Sequence, residues 1–201
     1  NPYMCGDSND DNKVNLVDII YLVNNVFKGG PKPYPFLAGD VNKDEKVNLV
    51  DIVYLVNHVF KGGPKPCAST LVSVTSTTGS ISLVNSIKNS DSSFTVPVYV
   101  SFNDNIQGIN LELSYNTNII SIIGVDKTVL SNDLSLVNTN NKNIGLMGIN
   151  GNYIKPNTGI ILNIRLKAVN NDLRSLKINK VEFVNNKAQL LSSGVKGSLV
   201  V

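Results

Sequence analysis

The sequence predicts a multi-domain chain, with a small all-α module over residues 1–68 and an all-β sandwich of jelly-roll or immunoglobulin-like type over 69–201. Three observations carry this prediction. Residues 6–33 and 39–66 are identical at 23 of 28 positions at an offset of 33, so the first third of the chain is an internal duplication. Each copy opens on an Asp/Asn-rich loop, runs into an apolar segment of helical length and stops at Gly-Gly-Pro, a physical helix terminator. After Cys67 the hydrophobic period falls to two, β-branched residues dominate, and short runs alternate with Asn, Gly, Ser and Asp clusters.

The loops come first. In the first copy Asp7, Asn9, Asp11, Lys13, Asn15 and Asp18 fall at loop positions 1, 3, 5, 7, 9 and 12, and in the second so do Asp40, Asn42, Asp44, Lys46, Asn48 and Asp51. This is the ligand spacing of an EF-hand loop. A hard cation such as Ca²⁺ takes about six or seven oxygens around one point. The spacing turns side-chain oxygens inward, while Lys13 and Lys46 offer only main-chain carbonyls. One such loop alone reads as a solvated turn capping a helix; two near-identical copies read as two calcium sites. Position 6, where a positive φ favours Gly, holds Asn12 and Glu45, and the second loop is expected to be the weaker.

The helices follow over residues 15–28 and 48–61. One apolar stripe of each helix is formed by Ile19, Leu22 and Val26 and by Ile52, Leu55 and Val59. A second apolar stripe, Leu16, Ile20, Val23 and Phe27 with its copy Leu49, Val53, Val56 and Phe60, has no second core to enter in so small a module. It reads as a partner site, the alternative being packing against the inter-repeat segment around Tyr34 and Phe36. His58 stands where the first copy has Asn25 and reads as a replaceable surface residue.

Candidate strands cover 71–76, 94–102, 106–115, 119–125, 134–139, 143–149, 159–169, 173–183 and 195–201, which suits a sandwich. In 106–115 the alternation is clean. Ile109, Leu111, Leu113 and Tyr115 belong to the core face, and Asn110, Glu112 and Ser114 face solvent or a partner.

Composition excludes other classes. Lys plus Arg number 18 against 15 Asp plus Glu, and they form no basic run, so no nucleic-acid footprint is present. No apolar stretch is long enough to span a membrane, and residues 1–5 lack the features of a signal peptide. With one His, two Cys and no Trp, and no nucleophile–base pair, phosphate loop or paired acids outside the loops, the chain reads as non-catalytic.

The duplicated loop-helix with Asp at position 12 closely resembles a type I dockerin, the calcium-dependent module that plugs microbial enzymes and surface proteins into cohesins. The resemblance implies two bound Ca²⁺ ions and a partner surface of Leu16, Val17, Val23, Asn24 and Lys28, repeated as Leu49, Val50, Val56, Asn57 and Lys61. Either helix could then dock after a half-turn. It also implies that the module's ends lie close together, making a Cys5–Cys67 disulfide the natural inference and an oxidising compartment the expectation; two separate thiols are the alternative.

The later segments FTVPVYVSF, IQGINLELSYN and IISIIGV, with Pro97, Gly108 and Tyr115 in place, resemble the early strands of a cohesin. Carbohydrate-binding sandwiches share such strands, but the aromatics sit mostly in strands and Tyr153 alone falls in a loop. The resemblance implies a secreted or cell-surface assembly protein whose partner is a cohesin-like domain of another copy or of another protein. The dockerin is expected not to fold back onto its own sandwich, because the connector at about 64–70 is short and tethered by Cys67. Head-to-tail self-polymerisation into a fibre is one reading. An adaptor is the other, its dockerin docking another protein's cohesin while the sandwich binds a further protein or a glycan.

Overall fold

The computed structural model describes residues 3–68, 75–138 and 142–195. In the N-terminal part, α1 (Leu16–Lys28) and α3 (Leu49–Lys61) flank a short α2 (Phe36–Gly39). Both long helices begin and end by the same chemistry. Asn15 and Asn48 cap them in capping boxes with Asp18 and Asp51, and Gly29 and Gly62 close them in the left-handed conformation, at φ 68° and 64°. Tyr21 and Tyr54 each donate a hydroxyl hydrogen bond across to the carbonyls of Lys32 and Lys65. Ile19, Leu22, Ile52 and Leu55 are fully buried between the helices, with Val26 and Val59 at the margin. Cys5 and Cys67 are joined in a disulfide with their Cα atoms 6.1 Å apart.

Among the described residues ten strands follow: β1 (Thr75–Leu83), β2 (Ile87–Lys88), β3 (Phe94–Phe102), β4 (Ile106–Ser114), β5 (Ile120–Lys127), β6 (Ser135–Asn138), β7 (Asn143–Met147), β8 (Asn157–Ala168), β9 (Lys177–Asn185) and β10 (Leu191–Val195). They form a sheet in the order β10-β1-β3-β8-β5, with β2 on β3, and a second in the order β6-β7-β4-β9. The pairs are antiparallel except β1 with β10, which is parallel. The core between the sheets holds Val96, Val98, Val100, Ile109, Leu111, Leu113, Ile144, Leu146, Ile164 and Phe183.

The predicted alternation of 106–115 is present: Ile109, Leu111 and Leu113 are buried and Tyr115 packs at the core's margin, with Asn110, Glu112 and Ser114 on the opposite face. Three strands differ from the prediction. β1 lies over 75–83 rather than 71–76, because its Ser- and Thr-rich sequence hides the pattern; residues 71–74 lie outside the described residues. β2, two residues long, carries no period to read. β10 lies earlier than predicted, and 196–201 also fall outside the described residues.

Candidate calcium loops and docking interface

Both loops are built from carboxylates that gather backbone N–H groups. Asp7 accepts from Asp11 and Asn12, at 2.9 and 2.8 Å, and Asp40 accepts from Asp44 and Glu45, both at 3.0 Å. At the far end Asp18 accepts from Ser8 and Asn15, and Asp51 from Val41 and Asn48. Asp11 and Asp44 each take the N–H of the lysine two residues on. The loops therefore close on their own first and last carboxylates.

The position-6 residues adopt the same conformation, Asn12 at φ 64° and Glu45 at φ 65°. Glu45 thus reaches the turn geometry a glycine would take, at a backbone cost of about 1–2 kcal/mol.

Among the described residues no three His, Cys, Asp or Glu side chains converge as a metal-holding group by themselves. The oxygens that could complete a shell are the amides of Asn9, Asn15, Asn42 and Asn48 and the carbonyls of Lys13 and Lys46, the donor mixture a hard cation takes. The charge balance fits a cation too. Burial pushes the Asp51 carboxyl up to about 7 against the pull of the Asn48 N–H, and the neighbouring Asp44 and Asp40 carboxylates push the same way. Asp18 is raised as well, first by burial, with Asp7 adding repulsion.

The second stripe of the helices divides between two fates. Leu49, Val50, Val53 and Val56 of α3 and Phe27 of α1 lie in one continuous apolar cluster with Val137, Met147, Val184 and Ala188 of the sandwich. The helical module is therefore seated on the outer face of the β6-β7-β4-β9 sheet of its own chain. Two glycines let it approach: a methyl added to Gly108 would lie 3.0 Å from Leu49, and one added to Gly145 would lie 2.9 Å from Phe27. Polar bonds frame the contact. Asn57 donates to the Asn186 carbonyl at 3.2 Å, Asn138 to the Phe27 carbonyl at 2.7 Å, and Lys61 to Gln107 Oε1 at 3.3 Å. The Lys61 ammonium also stands 5.2 Å from the Tyr153 ring centroid, and burial draws its pKa below the ordinary lysine value.

This seating corrects the expectation that the module would not fold back onto its own sandwich. Seven peptide steps lead from Ala68 to Thr75, and an extended chain of that length reaches about 25 Å, so a short connector permits the contact. It also removes the alternative in which the stripe packs on the inter-repeat segment: Tyr34 is 85% exposed, and Phe36 and Leu37 are exposed too.

The matching residues in the first turns of α1 are open. Leu16, Val17 and Ile20 are 41%, 51% and 49% exposed where Leu49, Val50 and Val53 are 1%, 3% and 0% exposed. Phe60 is 41% exposed where Phe27 is 5%. Val23 is buried, Asn24 is half-buried with its carbonyl taken by Gly29 and Gly30 in the helix stop, and Lys28 is exposed. His58 stands by the Gly63 carbonyl at 3.3 Å just as Asn25 donates to that of Gly30 at 3.1 Å, so both side chains serve the helix stop.

On the sandwich, Asn110 and Glu112 do lie on the seated face, but they are spent within their own sheet, Asn110 donating to Glu182 and Glu112 accepting from Asn179. The contact falls instead on residues the sequence did not single out for it: Gln107, Gly108, Val137, Asn138, Gly145, Met147, Val184, Asn186 and Ala188. Glycines inside apolar strands were the available signal.

Residues 5–60 match the dockerin type I domain model. No curated protein sequence matches the chain. Among solved structures, a cohesin of Clostridium acetobutylicum has 17% identity and a TM-score of 0.47 over 62% of this chain and 91% of its own. A non-cellulosomal cohesin of the archaeon Archaeoglobus fulgidus has 19% identity and a TM-score of 0.46 over 63% and 93%. A type I cohesin–dockerin complex of Clostridium thermocellum has 10% identity and a TM-score of 0.45 over 64% and 93%. The helical module thus matches the dockerin type I domain over residues 5–60, and the likeness to these solved structures extends over 62–64% of the chain.

Proposed function

We propose that this chain is a non-catalytic, calcium-dependent assembly protein of the extracellular space or cell surface, whose dockerin takes the sandwich of the same sequence as its cohesin. The observation that carries this reading is the apolar cluster joining Leu49, Val50, Val53, Val56 and Phe27 to Val137, Met147, Val184 and Ala188. A surface that would otherwise expose large aliphatic side chains is closed by a sheet that presents Gly108 to Leu49 and Gly145 to Phe27. The two Ca²⁺ ions would be held by Asp7, Asn9, Asp11, Lys13, Asn15 and Asp18 and by Asp40, Asn42, Asp44, Lys46, Asn48 and Asp51, and would neutralise the crowded carboxylates that set the N-terminal turns of α1 and α3. The disulfide supports an oxidising compartment. Among the described residues no helix is long and apolar enough to cross a membrane.

Plug and socket in one chain make the protein self-complementary. The short connector holds them at an effective concentration on the order of millimolar, so the closed monomer dominates at micromolar protein. Head-to-tail fibres use the same two surfaces and form where modules exchange between copies. Mixing isotopically light and heavy chains tests this by native mass spectrometry. At micromolar concentration in calcium the expected result is separate monomers, with mixed oligomers growing as concentration enters the millimolar range. Gly108→Glu, which places a charge against Leu49, is expected to suppress those oligomers; oligomers that form equally well in this variant would contradict the assignment of the socket.

A further inference from the structure

The two candidate calcium loops are near-copies in sequence with different surroundings. Asp44, Lys46 and Asn48 of the second loop, with Val50, line one cavity together with Lys180, Glu182 and Leu190 of the sandwich. Asn42 is buried where Asn9 is half-buried, and Asp44 is half-buried where Asp11 is exposed. The wall facing the loop is close to neutral, because Lys180 and Glu182 pair at 2.6 Å; it covers the loop rather than attracting a cation.

The connection to docking is also covalent. Asn48 and Asp51, the last side-chain donors of the second loop, bracket Leu49 and Val50, the first residues seated on the sheet. Whatever orders those donors orders the seated turn, and whatever seats the turn holds the donors in place. In the first loop the bracketed residues are Leu16 and Val17, which remain exposed. Two events that order the same residues favour each other by the same factor in either direction.

Building on the calcium reading above, we infer that docking retains the ion of the second loop and not that of the first. The second ion leaves only when the dockerin lifts from the sandwich; the first leaves freely. The chain would then hold one fast and one slow calcium, the slow one reporting whether plug and socket are engaged. This reverses the order expected from Glu45.

Stopped-flow mixing of the calcium-loaded intact chain with an excess of a fluorescent chelator reads this directly. The expected result is two ions per chain released in two phases of equal amplitude, separated by about tenfold or more, within the span typical of coupled sites. Gly108→Glu is set against the Leu49 side chain, which is not one of the loop's ligands, and it is expected to bring the slow phase to the fast rate while still releasing two ions. Ala188→Arg, on the 186–190 turn of the sandwich, gives the same test through a second position. Glu45→Asn is expected to keep both phases. A single release rate in the intact chain, or a slow phase that survives both sandwich variants, would overturn the inference while leaving calcium binding intact. No released calcium at all would overturn the calcium reading itself.

Discussion

Helices α1 and α3 differ at two of their thirteen positions, Ile20 for Val53 and Asn25 for His58, yet one lies open along its first turns where the other is sealed. Their caps, loop ligand residues and terminating glycines are the same, because these arise within a few residues of sequence. Their burial is not, because it comes from a sheet more than forty residues away in the chain. The comparison separates what a segment dictates about itself from what its neighbour decides.

Removing calcium is expected to have the largest effect on the comparison, since it strips the charge balance from both copies at once. Chelation should abolish the helical circular dichroism and leave the strand signal, as no segment of the sandwich repeats the loop pattern. Loss of both signals would mean that the sandwich depends on the module.

The disulfide comes next and acts on both copies together. Replacing Cys5 and Cys67 by Ser opens a bridge of sequence separation 62. In the chain-entropy model this costs the module about 4 kcal/mol, readable as a lower denaturant midpoint for the helical transition.

Substitutions on the stripe should then break the equality between copies. Val53→Asp buries a carboxylate against the sheet, and is expected to undock the module and to cost it about 3 kcal/mol or more of interaction with the sandwich. Ile20→Asp, the same change at the matching exposed position, should stay within about 0.5 kcal/mol. Equal effects of the two, measured by denaturation of the intact chain, would refute the asymmetric seating.

The smallest effects should restore the equality. Gly29→Ala and Gly62→Ala meet no atom within 4 Å and differ from wild type only by left-handed strain. Each should cost about 1 kcal/mol, and by the same amount, since both glycines hold nearly the same left-handed φ and neither added methyl meets a neighbour.

Much of this architecture was legible in the sequence. The duplicated loops and the Gly-Gly-Pro stops announce α1 and α3, and the period-two runs announce β3 to β9 within a few residues. The outward face carrying Asn110 and Glu112 was readable from alternation alone. What the sequence concealed was which copy is covered and by what: Leu16-Val17 and Leu49-Val50 are the same letters, and no local pattern distinguishes them. The socket was hidden for a different reason. Gly108, Gly145 and Ala188 recognise by being small, so they offer no chemical signature beyond a glycine interrupting an apolar strand. Strand β1 escaped because Thr78 to Ser82 place hydroxyls where a strand usually places β-branched aliphatics.

The most direct test of the central claim, that the helical module sits on its own sandwich, is small-angle scattering coupled to size exclusion on the intact chain, in millimolar calcium and again in excess chelator. The account predicts a monomer in calcium with a radius of gyration near the roughly 17 Å of a compact chain of this length, expanding on chelation. A monomer already extended in calcium, with its two modules apart, would contradict it.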